Sequence, residues 1–287
     1  MDRKSIYDGI EIFPLLVFIA ITKCLSLRKK AAVGGWILSW FMRANYNLRS
    51  RVLENLELVM PKKTKSEKML FLRQLGWYWG VTFTELIFNA EFQKAEEKFF
   101  YSKNDLKPLI KAKKQGRPVI IVSAHLGPWE AIRAVLKKHN LTTGAIYKKN
   151  KNRFYEHLHL KAIKSGGEPI FSTGLSGTKS MVKFLKKGGA VAVMLDQAAS
   201  DGEFFDFLGV PAKTATSVAK IALKLNALLV PAYAIRARNT PAIHVYFENA
   251  ILHTNYQDMT SALTKSIERR VLAHPEQWYW VHKRWKY

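Results

Sequence analysis

His125 and Glu130 are the pair in this chain best suited to acid–base chemistry. They stand in His125-Leu-Gly-Pro-Trp-Glu130, behind the apolar run Pro118-Val-Ile-Ile-Val-Ser-Ala124. A histidine is a base near neutral pH, and a nearby carboxylate can hold its second ring nitrogen. The spacing alone is weak. With 8 His and 22 acidic residues, a His followed five positions later by an acid is expected about 0.6 times by chance. A second such pair, His253 and Asp258, does occur, so context must separate the two. The first follows a run that reads as a buried strand. Gly127 permits close backbone approach, and Pro128 suits the first position of a helix. The second precedes an apolar helical run, where Asp258 reads as a helix cap with Ser261 or as first-turn charge.

The elements that must position His125 alternate. Apolar runs at 118–124, 144–148, 168–171, 190–195, 228–236 and 242–250 read as strands. Helical patterns lie between them near 104–115, 128–139, 152–165, 175–187 and 213–226. Such alternation predicts an α/β fold, a mostly parallel central sheet flanked by helices. Residues 257–287 return to helix, with Trp278, Val281 and Trp285 on one face as core. Residues 1–100 read as all helix, and 101–287 as the α/β domain, with no linker between them. In the first part Pro61 stops one helix and Ser66 caps the next.

The N-terminal region carries two uncharged apolar runs, 12–22 and 31–42. Each is shorter than the roughly 20 residues a spanning helix needs. The first reaches that length only if extended from about Ile6 to Leu27 with Lys23 snorkelling. Trp36, Trp40 and Phe41 beside Arg and Lys predict a membrane-associated helical segment. The formal charge of +24 is spread along the chain and calls for an acidic partner: nucleic acid, an anionic membrane, or an acidic protein or substrate.

Other chemistry is poorly supported. Cys24 is the single cysteine, which excludes an intramolecular disulfide and a zinc site built from cysteines. His157 and His159 fall on different helix faces, no His-Glu-x-x-His occurs, and no metal site is expected. Gly174-Leu-Ser-Gly-Thr-Lys-Ser180 fails the phosphate-loop pattern and reads as a capped helix start. Asp196-Gln197 closes an apolar strand and would face a cleft. Phe205-Asp-Phe-Leu-Gly-Val-Pro-Ala-Lys-Thr214 reads as a loop leading into a helix capped by Thr214.

Taken together, these segments resemble the late acyltransferases of lipid A biosynthesis, the lauroyl and myristoyl transferases. These are related to glycerolipid acyltransferases with a His-x4-Asp/Glu motif. The likeness runs over nearly the whole chain. His125 to Glu130 is similar to the family's His-x-Gly-Asn-Trp-Glu block. Tyr147-Lys148 and Asn152-Arg153 stand where the family has Tyr-Arg and a later Asn-Pro. Asp196-Gln197, Phe207 to Thr214, Val230-Pro231 and Arg236 follow in order, and Pro275 to Lys286 is the most specific match. Lys148 replaces an Arg, and loses its bidentate grip on phosphate.

The resemblance implies transfer of an acyl chain from an acyl carrier protein thioester to a hydroxyl of a phosphorylated, Kdo-bearing lipid A precursor. His125 would be the base and Glu130 its orienting acid, with oxyanion donors among the backbone amides after Gly127 or Lys148. Gly127, Lys148, Asn152, Asp196, Gln197 and Arg236 would contact substrate. No cofactor is implied beyond the acyl carrier protein donor. The partners are that protein, the anionic lipid acceptor and a membrane surface rather than nucleic acid. The location is the cytoplasmic side of a bacterial inner membrane. The alternatives are an acyltransferase for another acceptor, such as a lysophospholipid or glycolipid, and a non-enzymatic basic protein that binds membrane or nucleic acid.

Overall fold

A computed structural model describes residues 3–238 and 240–285. Lys286 and Tyr287, which end the C-terminal block, lie outside the described residues.

Four helices come first: α1 (Arg3–Thr22), α2 (Leu27–Ala44), α3 (Tyr46–Val59) and α4 (Lys65–Ile87). Thr64, not the expected Ser66, caps α4. Its hydroxyl accepts from the Glu67 amide, and the Glu67 carboxylate reaches back to the Thr64 amide. This reciprocal box satisfies two donors that the helix start would otherwise leave open. Helices α2 and α4 meet through glycines. A Cβ on Gly80 would lie 2.2 Å from the Gly34 carbonyl oxygen, and one on Gly76 would lie 2.6 Å from Ser39 Cα. With one side of α2 pressed against α4, its other side is left to solvent. Trp36 is 69% and Trp40 58% exposed there. Among the described residues no helix is long and apolar enough to cross a membrane. The stretch from Ile6 to Leu27 is not one helix, because α1 ends at Thr22 and α2 starts anew at Leu27.

A short helix α5 (Asn89–Phe92) and strand β1 (Phe99–Phe100) lead into the sheet. There follow α6 (Lys107–Lys114), β2 (Val119–Ser123), α7 (Glu130–Lys138), β3 (Thr143–Tyr147), α8 (Arg153–Gly166) and β4 (Ile170–Ser172). Next come α9 (Leu175–Leu185), β5 (Ala190–Met194), β6 (Glu203–Phe207), β7 (Val210–Thr214) and α10 (Ser217–Leu225). The last are β8 (Leu228–Arg236), β9 (Ile243–Phe247) and α11 (Tyr256–Ala273). The main sheet has the order β1-β9-β8-β2-β5-β3-β4 and is parallel except for the β8–β9 pair. The fold is therefore mixed α/β with a mostly parallel central sheet flanked by helices.

Strand β2 is buried on both faces, as a central parallel strand must be. Side chains alternate along a strand, so Ile120 and Val122 join a core with α9, α10 and α11, while Val119 and Ile121 join one with α6 and α7. This explains why 118–124 reads as an unbroken apolar run.

Three local expectations are corrected. Residues 205–214 are not a loop running into a helix. They fall largely within the antiparallel β6–β7 hairpin, whose turn residues Leu208 and Gly209 both have positive φ (58° and 76°), as a two-residue hairpin turn requires. Thr214 closes β7 and α10 starts at Ser217. Helix α9 starts after Gly174 with no side-chain cap. The C-terminal helix ends at Ala273; a 3-10 turn, Pro275–Gln277, follows, and Trp278 is extended. Trp278, Trp280 and Trp285 are buried, but not as a helical stripe.

Candidate active site

The parallel register of β2 and β5 builds the site. Ser123 pairs with Met194, and the Leu195 amide donates to the Ser123 carbonyl at 3.0 Å. Two residues further along both strands, His125 comes to lie beside Asp196. The Asp196 Oδ1 is 2.9 Å from His125 Nδ1, and its Oδ2 accepts from the His125 amide at 2.9 Å and from Trp278 Nε1 at 2.8 Å. Asp196 is 2% exposed, and burial alone would raise its pKa. The His125 ring and the bonds from His125 and Trp278 outweigh burial and hold the carboxyl below its ordinary value. A carboxylate accepting at Nδ1 fixes the proton there, which leaves the Nε2 lone pair free to act as base.

The C-terminal block walls this ring. Tyr279 donates its amide to the His125 carbonyl at 3.0 Å, and the Tyr279 and Trp129 rings lie 6.2 and 5.5 Å from the imidazole. Gln277 accepts from the Gly127 amide through its backbone oxygen, while its side chain bonds both the amide and the carbonyl of Arg236. Gly127 has φ +56°, and a Cβ there would lie 2.3 Å from the Ala234 carbonyl oxygen. Only glycine fits this turn. Trp79 of α4 backs the wall. It donates to the Trp278 carbonyl at 3.0 Å and packs its ring against those of Tyr279 and Trp129.

Glu130 does not orient the histidine. Its carboxylate is bound by Arg133 Nη1 at 3.0 and 3.1 Å and by Asn89 Nδ2 at 3.0 Å. Arg133 continues to the carbonyls of Ile163, Thr143 and Gly167. The turn from Ala124 to Trp129 is irregular, with Leu126 bridged to Trp278, so α7 begins only at Glu130. Its first side chain then enters the layer of α5 and α8 instead of turning back to His125.

The expected substrate contacts divide. Lys148 and Gln197 are exposed, at the ends of β3 and β5. Asp196 is held by His125 and Trp278 instead of facing substrate. Asn152 is buried and saturated. Its Oδ1 accepts from the amides of Phe154 and Tyr155, and its Nδ2 donates to the Asp8 carbonyl and the Glu11 carboxylate. It is the cap of α8 and the latch of α1, with no hydrogen-bonding capacity left for substrate. Arg236 pairs with Glu85 of α4, and Gly127 serves packing. The amides proposed for an oxyanion are partly engaged as well: Gly127 with Gln277, Trp129 with Gly127, and Asn150 with Glu156. His253 bonds the Ala227 carbonyl, and Asn255 caps α11 with Asp258 in its first turn. Among the described residues no three His, Cys, Asp or Glu side chains gather as a metal-binding group.

The family model for bacterial lipid A biosynthesis acyltransferases matches residues 11–287. The chain belongs to that family. A search of curated proteins finds no match. As a lipid A biosynthesis acyltransferase the protein is an enzyme, and the family implies an acyl donor and a lipid acceptor.

In this acyltransferase, Asp196 and Trp278 are the residues whose part sequence reasoning missed. The available signal was the polar end of two apolar strands, 118–124 and 190–195. Only the sheet order, which makes β5 and not β3 the neighbour of β2, joins those ends.

Proposed function

We propose that the enzyme transfers a fatty acyl chain from an acyl carrier protein thioester to a hydroxyl of a phosphorylated lipid A precursor. The observation that carries this reading is the His125–Asp196 pair, a base with one fixed tautomer at the mouth of a parallel sheet. His125 Nε2 takes the proton of the acceptor hydroxyl. The oxygen attacks the thioester carbonyl, the C–S bond breaks, and the thiolate leaves with the proton from the imidazolium. Asp196 stabilises that imidazolium and keeps the ring in place. Contact with the acceptor is assigned to Lys148 and Gln197, which are exposed on neighbouring strand ends. Written so, the reaction uses no resident metal or redox cofactor.

The charge of +24 supports an acidic donor protein and an acidic lipid. Exposed Ile10, Phe13, Trp36 and Trp40 on α1 and α2 support docking on a membrane surface. An acyl carrier protein donor places the reaction on the cytoplasmic side of the bacterial inner membrane.

The test is transfer of labelled acyl chain from acyl carrier protein to the precursor by membranes holding His125→Ala. A fall in rate on the order of 10³-fold or more is expected. Transfer at the wild-type rate overturns the mechanism. Lipid A whose acyl count is unchanged in a strain lacking the enzyme overturns the acceptor.

A further inference from the structure

A cavity of about 840 Å³ opens between α2, α4 and the β8–β9 hairpin. Neither His125 nor its contacts Asp196, Trp129 and Tyr279 line it. Trp77 and Trp79 show why: two residues apart on α4, they fall on opposite faces of that helix. Trp79 packs beside Trp129 and Tyr279 at the histidine, while Trp77 lines the cavity.

The lining is cationic. Arg28, Arg43, Arg73, Lys98, Arg236 and Arg238 face only two carboxylates, Glu85 and Glu276. Those two are already taken by Arg236 and Arg238. Arg28, Arg43 and Arg73 have no carboxylate partner among the described residues. At the inner end, Arg236 is only 10% exposed by its side chain, and its buried Nε has no hydrogen-bond partner among the described residues. An orphaned guanidinium nitrogen is costly, and a phosphate oxygen is a group that relieves it. The same lining carries exposed apolar and aromatic side chains: Trp36, Trp40 and Trp77 are 69%, 58% and 38% exposed, and Leu70 is 54% exposed. Exposed arginines beside exposed tryptophans in one lining match the chemistry of a bilayer surface, where indoles sit at headgroup level and basic side chains meet phosphate. A single-stranded nucleic acid would use the cations and the indoles for stacking, but not an exposed Leu70.

We infer that this cavity holds the phosphate headgroup of an anionic bilayer phospholipid, as a lipid site separate from the catalytic one. The inference rests on the membrane-surface docking proposed above. It adds that docking is selective for anionic headgroups and runs through Arg28 and Arg73, with Trp36 and Trp40 at the boundary of headgroup and acyl chain. The site seats the face of α2 and α4 on the bilayer while His125 stays on the opposite side of α4.

Flotation of the full-length protein with phosphatidylcholine vesicles, with and without about one-fifth phosphatidylglycerol, tests this. Wild type is expected to prefer the anionic vesicles. Arg28→Gln/Arg73→Gln is expected to weaken that binding on the order of 30-fold, about five-fold per cation. A control pair on α6, Lys111→Gln/Lys113→Gln, is expected to lose less than about two-fold, because those exposed lysines lie outside the cavity. Acyl transfer to detergent-dispersed acceptor should be unchanged in Arg28→Gln/Arg73→Gln.

Equal losses in both pairs would reduce the effect to net charge and overturn the site. So would a rise in acceptor KM in the arginine variant, which would make the cavity a substrate subsite. Competition by millimolar free glycerophosphate would reassign it to soluble phosphate esters, and RNA binding lost in the same variant would reassign it to nucleic acid. A wild type that floats with neither vesicle sinks the membrane-surface reading as well. One that floats equally with both sinks only the headgroup site.

Discussion

Asp196 and Glu130 are buried carboxylates on either side of one strand-to-helix turn, 2% and 5% exposed, but their surroundings differ in kind. Glu130 faces Arg133, a permanent cation, so its charge is already neutralised. Asp196 faces only neutral donors, the Trp278 indole and the His125 amide, and a ring that can become charged. Its negative charge is therefore still unspent when His125 takes a proton. An acid paired to an arginine ties elements together, whereas an acid paired to a histidine is positioned to stabilise a charge that forms during reaction. Proximity in sequence does not decide which is which. Glu130 is five residues from His125 and Asp196 is seventy-one.

Three substitutions would break or sharpen this contrast. The largest effect is expected from Asp196→Asn, a fall in kcat on the order of 10³-fold, because its single oxygen is drawn to the fixed donors His125 N–H and Trp278 Nε1, its NH2 then faces Nδ1 and favours the wrong tautomer, and a neutral amide cannot compensate an imidazolium. Its stability effect should depend on pH. Asp196 has a depressed pKa in the folded state. Its contribution is thus present above the usual aspartate value and lost as pH falls through the depressed one. The gap in melting temperature between wild type and Asp196→Asn should close in acid; a gap that widens there contradicts the pairing.

Next comes Glu130→Gln. It leaves Arg133 buried without its counter-charge and should cost about 3 kcal/mol of stability by denaturant unfolding. The protein that remains folded should keep kcat within about ten-fold of wild type. A kcat loss matching that of Asp196→Asn, with stability intact, would reverse the roles of the two acids. The smallest effect belongs to Trp278→Phe. It keeps an aromatic ring in the core but removes one of the three bonds to Asp196. A kcat loss of a few-fold is expected, with about 1 kcal/mol of stability; a null effect would show that Asp196 needs only its two bonds to His125.

Much of this architecture was legible in the sequence. The run ending in His125, the strand ending at Asp196 and the helix–strand alternation between them rest on local periodicity, and local periodicity survives folding. The pairing of His125 with Asp196 was not legible because it arises from a crossover that brings β5 beside β2. The β6–β7 hairpin was hidden because its turn is Leu208-Gly209, without the usual Asn-Gly or Asp-Gly signal. Trp278, Val281 and Trp285 mimic a helical stripe by their spacing. A 3-10 turn at Pro275–Gln277 and the bridge from Leu126 to Trp278 break the helix there, and the segment becomes the wall of the site. Asn152 enters as a substrate ligand only through the family resemblance; its four hydrogen bonds show a cap and latch instead.

The most direct test of Asp196 as the partner of His125 is the 15N resonance pattern of the His125 ring, read on histidine-labelled enzyme at a pH where the ring is neutral. In wild type and in Glu130→Gln the proton should sit on Nδ1, with Nε2 free, and in Asp196→Asn that single tautomer should give way to a mixture. A tautomer kept in Asp196→Asn but lost in Glu130→Gln would contradict the assignment.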